Sequence, residues 1–176
     1  QPDALVLRTE HSLSTSIKKK VALFCNVPEE AVIECIDAPS IYEVPLNIQK
    51  EGLDNIILEK FNLPLDTPAN LEPWIEFIKK MKNATQEVHI ALVGKYAELP
   101  DAYKSICESL YQASVYNDKK LKLEFIHSQN LTELDVEEKL SSMDGIIVAP
   151  GFGNRGIEGK FIALKYAREH NVPTFG

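Results

Sequence analysis

A cluster of glycines behind an apolar run is the part of this sequence best suited to chemistry. The segment VAPGFGNRGIEGK, residues 148–160, carries four of the chain's eight glycines and follows the apolar run DGIIV. Pro150 has a fixed φ and no N–H, whereas Gly151 accepts either sign of φ, and a type II turn prefers this pair at its centre. The Gly151 N–H is therefore a candidate oxyanion donor, and one such donor supplies about 3 kcal/mol.

The same residues also fit a purely structural interpretation. A glycine behind a strand often makes only a tight turn, and this spacing differs from G-x-G-x-x-G, which makes it a weak dinucleotide fingerprint. Arg155 and Glu158 place two charges on the glycine-hinged loop. Such a loop is compatible with a mobile lid and equally with a solvated surface loop. The residues alone leave both alternatives open.

The elements around this loop alternate between strand and helix. Strands are predicted from short apolar or β-branched runs at 4–9, 31–37, 87–94, 121–128, 144–150 and 172–176. Helices are predicted from apolar periodicity at 13–26, in two segments of 41–63 split at Gly52, and at 70–86, 100–117, 131–143 and 156–171. This order predicts an α/β protein with two parallel-sheet, doubly wound units. In such sheets, ligands bind beyond the carboxyl ends of the strands.

In the first helix, at 13–26, Ile17, Val21, Phe24 and Cys25 share the apolar face, and a core role is expected for Phe24. Thr132 is a possible cap of the helix at 131–143.

A proline-rich stretch divides the chain. PLDTPANLEPW holds three prolines within ten residues, together with Asp, Thr and Asn, and this composition marks a boundary. We predict a linker and connecting helix at 63–86, with Asn70 as the N-cap. The units on either side are then 1–62 and 87–176.

Composition limits the function classes. The chain has 176 residues, of which 44% are hydrophobic and 26% charged, as expected for a globular protein. A net charge of −7 with interspersed signs argues against a nucleic-acid partner. No apolar run approaches the ~20 residues of a membrane span, and no signal peptide is visible. We therefore expect a cytoplasmic protein without a membrane partner, in which the cysteines are buried, reduced thiols.

Three longer blocks resemble the CTP synthase family, whose members carry a class I (triad) glutamine amidotransferase domain. The blocks are ALFCNVPEEAVIECIDAPSIYEVP at 22–45, VGKYAELPDAYKSI at 93–106 and PGFGNRGIEGK at 150–160. They occur in the family's order and spacing. The resemblance implies that 1–62 is the end of the synthetase (amidoligase) domain, which is P-loop-like. It also implies that 87–176 is the first half of the flavodoxin-like glutaminase domain.

The resemblance also implies an activity. Members of the family phosphorylate the uracil 4-oxygen of UTP with ATP, and ammonia from L-glutamine hydrolysis then displaces the phosphate to give CTP. Mg²⁺ serves the phosphoryl transfer, GTP activates the glutaminase half, and CTP inhibits at the UTP site. The family forms homotetramers, and filaments are a further expectation.

Four residues of the first unit match nucleotide-site positions of the family. Lys20 matches a lysine at the UTP/CTP site, and Arg8 matches an arginine beside the ATP adenine. Asp37 and Ala38 match positions whose backbone borders that adenine. From the residues alone, Lys18 to Lys20 form a basic cluster near a helix start, where phosphates are tolerated, but a solvated lysine face is the simpler interpretation.

In the second unit, Gly151 matches the glycine that binds glutamine and donates to the oxyanion. The family more often has Pro-Gly-Gly-Phe-Gly where this chain has Ala149-Pro150-Gly151-Phe152-Gly153. This departure puts in doubt any N–H donor at position 150 but keeps the one at 151. A further implication is a lid that responds to GTP, formed by Arg155, Gly156 and Glu158.

No catalytic nucleophile is assigned within the chain. In the family, the strand that VPTFG begins leads into the nucleophile elbow, so the catalytic cysteine is expected just after Gly176. None of the three cysteines present follows a strand into a Gly-flanked turn: Cys25, Cys35 and Cys107. The family's phosphate loop and Mg²⁺ carboxylates are not matched either. The isolated chain is therefore predicted to be inactive and to hold no metal.

Two other function classes remain as alternatives. One is a non-catalytic binding or interaction module of flavodoxin-like shape. The other is a different triad glutamine amidotransferase. The block at 22–45 argues against the latter, because other amidotransferases lack that synthetase segment.

The isolated chain is expected to be poorly stable and to self-associate. Both units expose strand edges, and an unpaired edge is a template for pairing with another chain. Sedimentation velocity should show oligomers that grow with concentration, and thermal unfolding should be broad. A monomer that unfolds in one cooperative transition would contradict this expectation.

Overall fold

The structure is a computed structural model that describes residues 1–99 and 101–176 in full and Pro100 by its backbone alone. It divides into two compact units, Gln1–Ile78 and Lys79–Gly176. Each unit carries a parallel sheet connected through helices, so the predicted α/β class is confirmed.

The first unit is built on two parallel strands. Its elements are β1 (Leu5–Thr9), α1 (Thr15–Cys25), β2 (Val32–Ile36), α2 (Val44–Lys50) and α3 (Leu53–Lys60), with 3₁₀ turns at Glu29–Ala31 and Ile41–Glu43. The strands pair from Leu5 with Val32 to Thr9 with Ile36. A small core between α1 and the strands contains Ala22, Val27, Ala31 and Val32.

Helix α1 turns a different face to this core than its sequence predicts. The shared face of Ile17, Val21, Phe24 and Cys25 was the expected apolar stripe. Instead Ala22 is buried with Val21 beside it, whereas Phe24 is 78% exposed and Cys25 is exposed. The core role expected for Phe24 and the burial expected for Cys25 are therefore wrong. The physical reason is that a two-stranded sheet covers only a narrow stripe of a helix.

Helix α4 (Glu72–Asn83) is fixed at its N-terminal half by aromatic packing. The predicted cap is present, since the Asn70 side chain accepts a hydrogen bond from the Glu72 N–H at 3.1 Å. The indole of Trp74 donates to the Tyr42 carbonyl at 2.8 Å. The rings of Trp74 and Phe77 lie 5.7 and 5.2 Å from the Tyr42 ring. The boundary between the units falls within this helix, after Ile78.

The second unit is a four-stranded parallel sheet in the order β4-β3-β5-β6. Its elements are β3 (Gln86–Gly94), α5 (Lys104–Tyr116), β4 (Lys119–His127), α6 (Val136–Leu140), β5 (Gly145–Val148), α7 (Ile157–His170) and β6 (Thr174–Phe175). Short 3₁₀ turns lie at Pro100–Tyr103 and Ser128–Asn130. The central pairs join Ile90 to Gly145 and Val93 to Val148.

Helices cover both faces of this sheet, which is the doubly wound arrangement that the sequence predicts. Ala91 and Val93 pack with residues of α6 and α7, whereas Leu92, with the opposite orientation, packs with Ile106 and Cys107 of α5. The chain leaves β3 for β4 on one side and reaches β5 on the other. The carboxyl ends of β3 and β5 therefore form the topological switch point, where such folds bind ligands.

Helix α6 is shorter than predicted. The expected helix at 131–143 is reduced to Val136–Leu140. Thr132 does not cap it as expected: both its N–H and its hydroxyl donate to Asp135, at 2.7 and 2.8 Å. Lys139 pairs with the same carboxylate. These contacts hold residues 132–135 in a turn, because short polar side chains compete with the helical backbone.

Asp135→Asn is expected to lower the melting temperature of the protein by a few °C at neutral pH. The hydrogen bond from Lys139 is the main cause that lowers the pKa of Asp135 from 3.8 to about 2. Because this folded-state pKa lies below the unfolded value, the ionised carboxylate stabilises the fold above about pH 4 and loses that effect as the pH falls towards 2.

Thermal unfolding of both proteins between about pH 1 and 7 checks this expectation. The matched control is Asp118→Asn, since the exposed Asp118 carboxylate faces Lys80 at 3.3 Å and should matter less. A difference between Asp135→Asn and the parent chain that persists below pH 2 would contradict the assignment.

Candidate functional site

The switch point of the second unit brings two loops together. One is Lys95 and Tyr96, directly after β3, and the other is residues 149–156, between β5 and α7. Gly151 therefore lies where the sequence placed it, at the carboxyl end of a strand.

Gly151 is needed for space rather than for a positive φ. Positive φ values occur instead at Gly153 (79°) and Gly156 (72°), so the type II turn favoured by Pro150-Gly151 is not formed. A β-carbon at position 151 would lie 3.0 Å from Cε of Lys95, a tight contact. The loop thus passes close over the Lys95 side chain, and a side chain at 151 would require the lysine stem to shift by a few tenths of an ångström.

Two lysines hold the carbonyl groups on either side of Gly151. Lys95 is only 7% exposed, and its ammonium group donates to the Phe152 carbonyl oxygen. Lys160, on the second turn of α7, donates to the Ala149 carbonyl oxygen at 2.7 Å. Burial, followed by the charge of Lys95, lowers the pKa of Lys160. The two ammonium groups therefore lie close enough to repel each other.

Tyr96 connects this pair to the next cation along the loop. The Lys95 nitrogen lies 5.1 Å from the centroid of the Tyr96 ring, and the Arg155 guanidinium carbon lies 5.2 Å from it. Both distances are in the range of cation–π attraction. The positive charge of Lys95, together with hydrogen bonding to Arg155, lowers the pKa of the Tyr96 hydroxyl.

The residues predicted as a lid lie in two different environments. Arg155 is exposed and donates to the Gln129 side chain at 3.3 Å. Gly156 forms the left-handed N-cap of α7, and a β-carbon there would overlap the hydroxyl of buried Ser128. Glu158 lies on the exposed first turn of α7 rather than on the loop. The described contacts therefore join Arg155 to Tyr96 and Gln129, not to Glu158.

This corner carries an excess of positive charge. Among the fully described residues, no carboxylate lies within ion-pair distance of Lys95, Lys160 or Arg155. Their hydrogen-bond partners are two backbone carbonyl groups, one amide side chain and the Tyr96 hydroxyl, none of which is a carboxylate. The electrostatic potential at the Gly151 backbone is therefore positive, which favours a ligand or transition state that bears negative charge there.

In the first unit, Arg8 and Asp37 form an exposed ion pair at 3.1 Å. The pairing of β1 with β2 brings these two side chains together. It also places the Asp37 N–H 2.9 Å from the Thr9 carbonyl oxygen. Ala38 is the next residue along the chain. The strand pairing thus brings together three of the predicted site residues at the carboxyl end of this small sheet.

Lys20 lies in a different setting from the one expected. Helix α1 begins at Thr15, so Lys20 is in its middle rather than near its start, and its side chain is exposed. Lys18 instead pairs with Glu51 at 3.1 Å and with Glu34 at 3.4 Å. Burial alone would lower the pKa of Lys18, but hydrogen bonds and charge from these two carboxylates raise it above its usual value. The basic cluster therefore consists of Lys18, which is paired with carboxylates, and the exposed Lys19 and Lys20.

Other chemical groups do not converge on either corner. Burial raises the pKa of the Cys107 thiol, so the reactive thiolate form is disfavoured. In the described part of the chain, no three His, Cys, Asp or Glu side chains lie close enough to hold a metal ion. Among the described helices, none has the length and apolar character that a bilayer crossing needs.

Sequence reasoning missed the most informative side chains of this site: Lys95, Tyr96 and Lys160. One signal was available, since Lys95 directly follows Gly94 at the end of an apolar strand. Its burial was not predictable, because it depends on the loop after β5, more than fifty residues further along the chain.

Comparison with known families gives two matches. Residues 1–63 match the model described as CTP synthase N-terminus, and residues 98–176 match the model described as glutamine amidotransferase class-I.

Similar proteins include the CTP synthases of Bacteroides fragilis, Porphyromonas gingivalis and Flavobacterium johnsoniae, at 59%, 56% and 51% identity. These alignments cover 99–100% of this chain, which spans about a third of the length of these curated relatives. A solved Trypanosoma brucei CTPS glutaminase domain with bound acivicin is 35% identical, with a TM-score of 0.47. That match covers 51% of this chain and 35% of the solved one.

Arg155→Met is expected to loosen the loop without unfolding the second unit. Arg155 is exposed, so its contacts with Tyr96 and Gln129 should contribute less than about 1 kcal/mol to stability. Hydrogen-exchange mass spectrometry should show faster exchange in peptides that cover 152–157. Arg168→Met, at an exposed position of α7, is the matched control and should not change this segment. Unchanged exchange in Arg155→Met would show that these contacts do not hold the loop.

Proposed function

Since this chain belongs to the CTP synthase family, we propose that it works as part of an enzyme that aminates UTP to CTP. In this reaction, ATP activates the uracil 4-oxygen, and ammonia released from L-glutamine replaces it. GTP would activate the glutaminase half, and CTP would inhibit at the UTP site.

One observation carries this proposal. A single chain contains the N-terminal CTP synthase segment at 1–63 and a class I amidotransferase segment at 98–176, in that order. An amidotransferase of another kind would not account for the first segment. A binding module without catalysis is not favoured by any contact described above.

We assign nucleotide recognition to the first unit. Arg8, Asp37 and Ala38 would border the ATP adenine, where the Arg8–Asp37 ion pair at 3.1 Å holds the arginine side chain in place. The exposed Lys20 would contact the triphosphate of UTP or of the inhibitor CTP. Its ammonium group has no recorded intramolecular partner within the described residues and is available for a phosphate oxygen.

We assign glutamine hydrolysis to the switch point of the second unit. When a nucleophile attacks the amide carbon of glutamine, the carbonyl oxygen becomes an oxyanion, and ammonia leaves after the amide nitrogen is protonated. The Gly151 N–H would donate to that oxyanion, in a corner that is already electropositive. Arg155, Gly156 and Glu158 would form the segment that responds to GTP. None of the three cysteines in this chain is proposed as the nucleophile.

Mg²⁺ would serve the phosphoryl transfer, but the described residues do not offer it a site, since no three candidate ligands cluster. We derive no step through it. We further propose a homotetramer in the cytoplasm, with nucleotides and glutamine as its small-molecule partners.

The full-length protein should form CTP from UTP, ATP and Mg²⁺ with either glutamine or ammonium as the nitrogen source. Lys20→Met should raise the KM for UTP at least about tenfold, because one charge-assisted phosphate contact is lost. Lys19→Met removes a neighbouring exposed ammonium group on the same helix and should leave this KM within about twofold. The measurement is CTP formation followed by absorbance or chromatography.

The outcomes separate the two parts of the proposal. Absence of CTP with both nitrogen sources would overturn the proposed function. Equal effects of Lys19→Met and Lys20→Met would overturn only the role of Lys20.

A further inference from the structure

We propose that Lys95 is a positioning residue for glutamine hydrolysis, which fixes the loop that carries Gly151 and makes it electropositive. This inference rests on the proposed function, because it deepens the role of the same site. Lys95 does not touch the reacting atoms and acts through the backbone of the loop above it.

The backbone at Lys95 is itself held in place. Gly94 packs against the buried side chain of Tyr103, where a β-carbon would lie 2.7 Å from the ring carbon that bears the hydroxyl. The Tyr103 hydroxyl accepts a hydrogen bond from the Tyr96 N–H at 3.2 Å. The end of β3 is therefore anchored on both sides of Lys95, so its side chain starts from a fixed point.

From that point, Lys95 holds the loop after β5. Its ammonium group donates to the Phe152 carbonyl, while Lys160 donates to the Ala149 carbonyl at 2.7 Å. The Ala149–Pro150 and Phe152–Gly153 peptide groups, which lie just outside the two peptides that flank Gly151, are thus held through their oxygens. A Pro-Gly peptide is otherwise free to rotate between two turn types, which would swing the Gly151 N–H. The two lysines fix both ends of the short segment that contains this peptide, and this limits its rotation.

The charge of Lys95 is not neutralised nearby. Its side chain is 7% exposed, and no carboxylate of the fully described residues lies within ion-pair distance of its nitrogen. A buried ammonium group without a carboxylate is costly unless its donors are satisfied or a negative charge arrives. A developing oxyanion near Gly151 would supply that charge in the transition state. In this role, no proton is transferred to or from Lys95.

If Lys95 served only to fill space under the loop, the effects of substitution would differ. Lys95 Cε lies 3.0 Å from the position of a β-carbon on Gly151, so the aliphatic stem also fills space under the loop. Methionine and glutamine would both fill much of that space. Only glutamine keeps an N–H that can donate to the Phe152 carbonyl, although it brings no charge.

The experiment uses the full-length protein with Lys95→Met, Lys95→Gln and Lys165→Met as the matched control. Lys165 carries an ammonium group on α7 that pairs with Glu133 at 3.0 Å, away from the loop. Glutamine hydrolysis is measured as kcat and KM with UTP, ATP and GTP present. CTP formation from ammonium is measured in parallel, to test that the synthetase half is intact.

We expect Lys95→Met to lower kcat for glutamine hydrolysis about 10- to 100-fold, with KM changed less than about threefold. Lys95→Gln should recover part of this loss, and Lys165→Met should behave as the parent enzyme. Ammonium-dependent CTP formation should stay within about twofold in all variants. Hydrogen exchange at 150–156 should be faster in Lys95→Met.

Three results would overturn the proposal. The first is a kcat of Lys95→Met that falls less than about threefold. The second is a change in KM with kcat unaffected. The third is an equal loss in Lys95→Met and Lys95→Gln with unchanged exchange at 150–156, which shows a packing role. If Lys95→Met does not fold, Lys95→Gln alone must still lower kcat selectively. If the parent enzyme makes CTP from ammonium but hydrolyses no glutamine, the glutaminase role is wrong, and this inference fails with it. If the parent enzyme is inactive with both nitrogen sources, the proposed function itself has failed.

Discussion

A buried ammonium group at the end of the central strand is the constraint on which the candidate functional site of the second unit depends. Lys95 lies beneath the loop after β5, and burial of a charge is tolerated only where its donors find acceptors. The Phe152 carbonyl is such an acceptor. The loop passes over this group, Gly151 leaves space for its Cε, and Lys160 lies nearby because it donates to the Ala149 carbonyl.

The topology of the sheet explains why this constraint arises there. β3 is central, with β4 on one side and β5 on the other, so the connecting helices leave to opposite faces. The carboxyl ends of β3 and β5 are consequently not covered by a crossover helix between them. Side chains from distant parts of the sequence meet in that opening, and the positive charges of Lys95, Lys160 and Arg155 collect around one stretch of backbone. A fold of this type needs few residues to create a strong local field.

The elements were largely predictable from the sequence, because strands such as β3 combine apolar runs with glycine stops and helices such as α4 carry a clear cap at Asn70. Helix α6 was overestimated, because local side-chain bonds at Thr132 and Asp135 compete with the helix. The position of Gly151 followed from the strand before it, but its physical role did not. Close approach of Lys95 requires the register between β3 and β5, and no local pattern encodes that register.

The contact between Gly151 and Lys95 also links the histories of these two positions. A side chain at 151 would need the space that Cε of Lys95 now occupies, only 3.0 Å from the place of a β-carbon. Alanine at 151 would therefore require a shift of a few tenths of an ångström in the Lys95 stem, or a shorter side chain at 95. Substitutions at the two positions are thus expected to be coupled, although the positions are 56 apart along the chain.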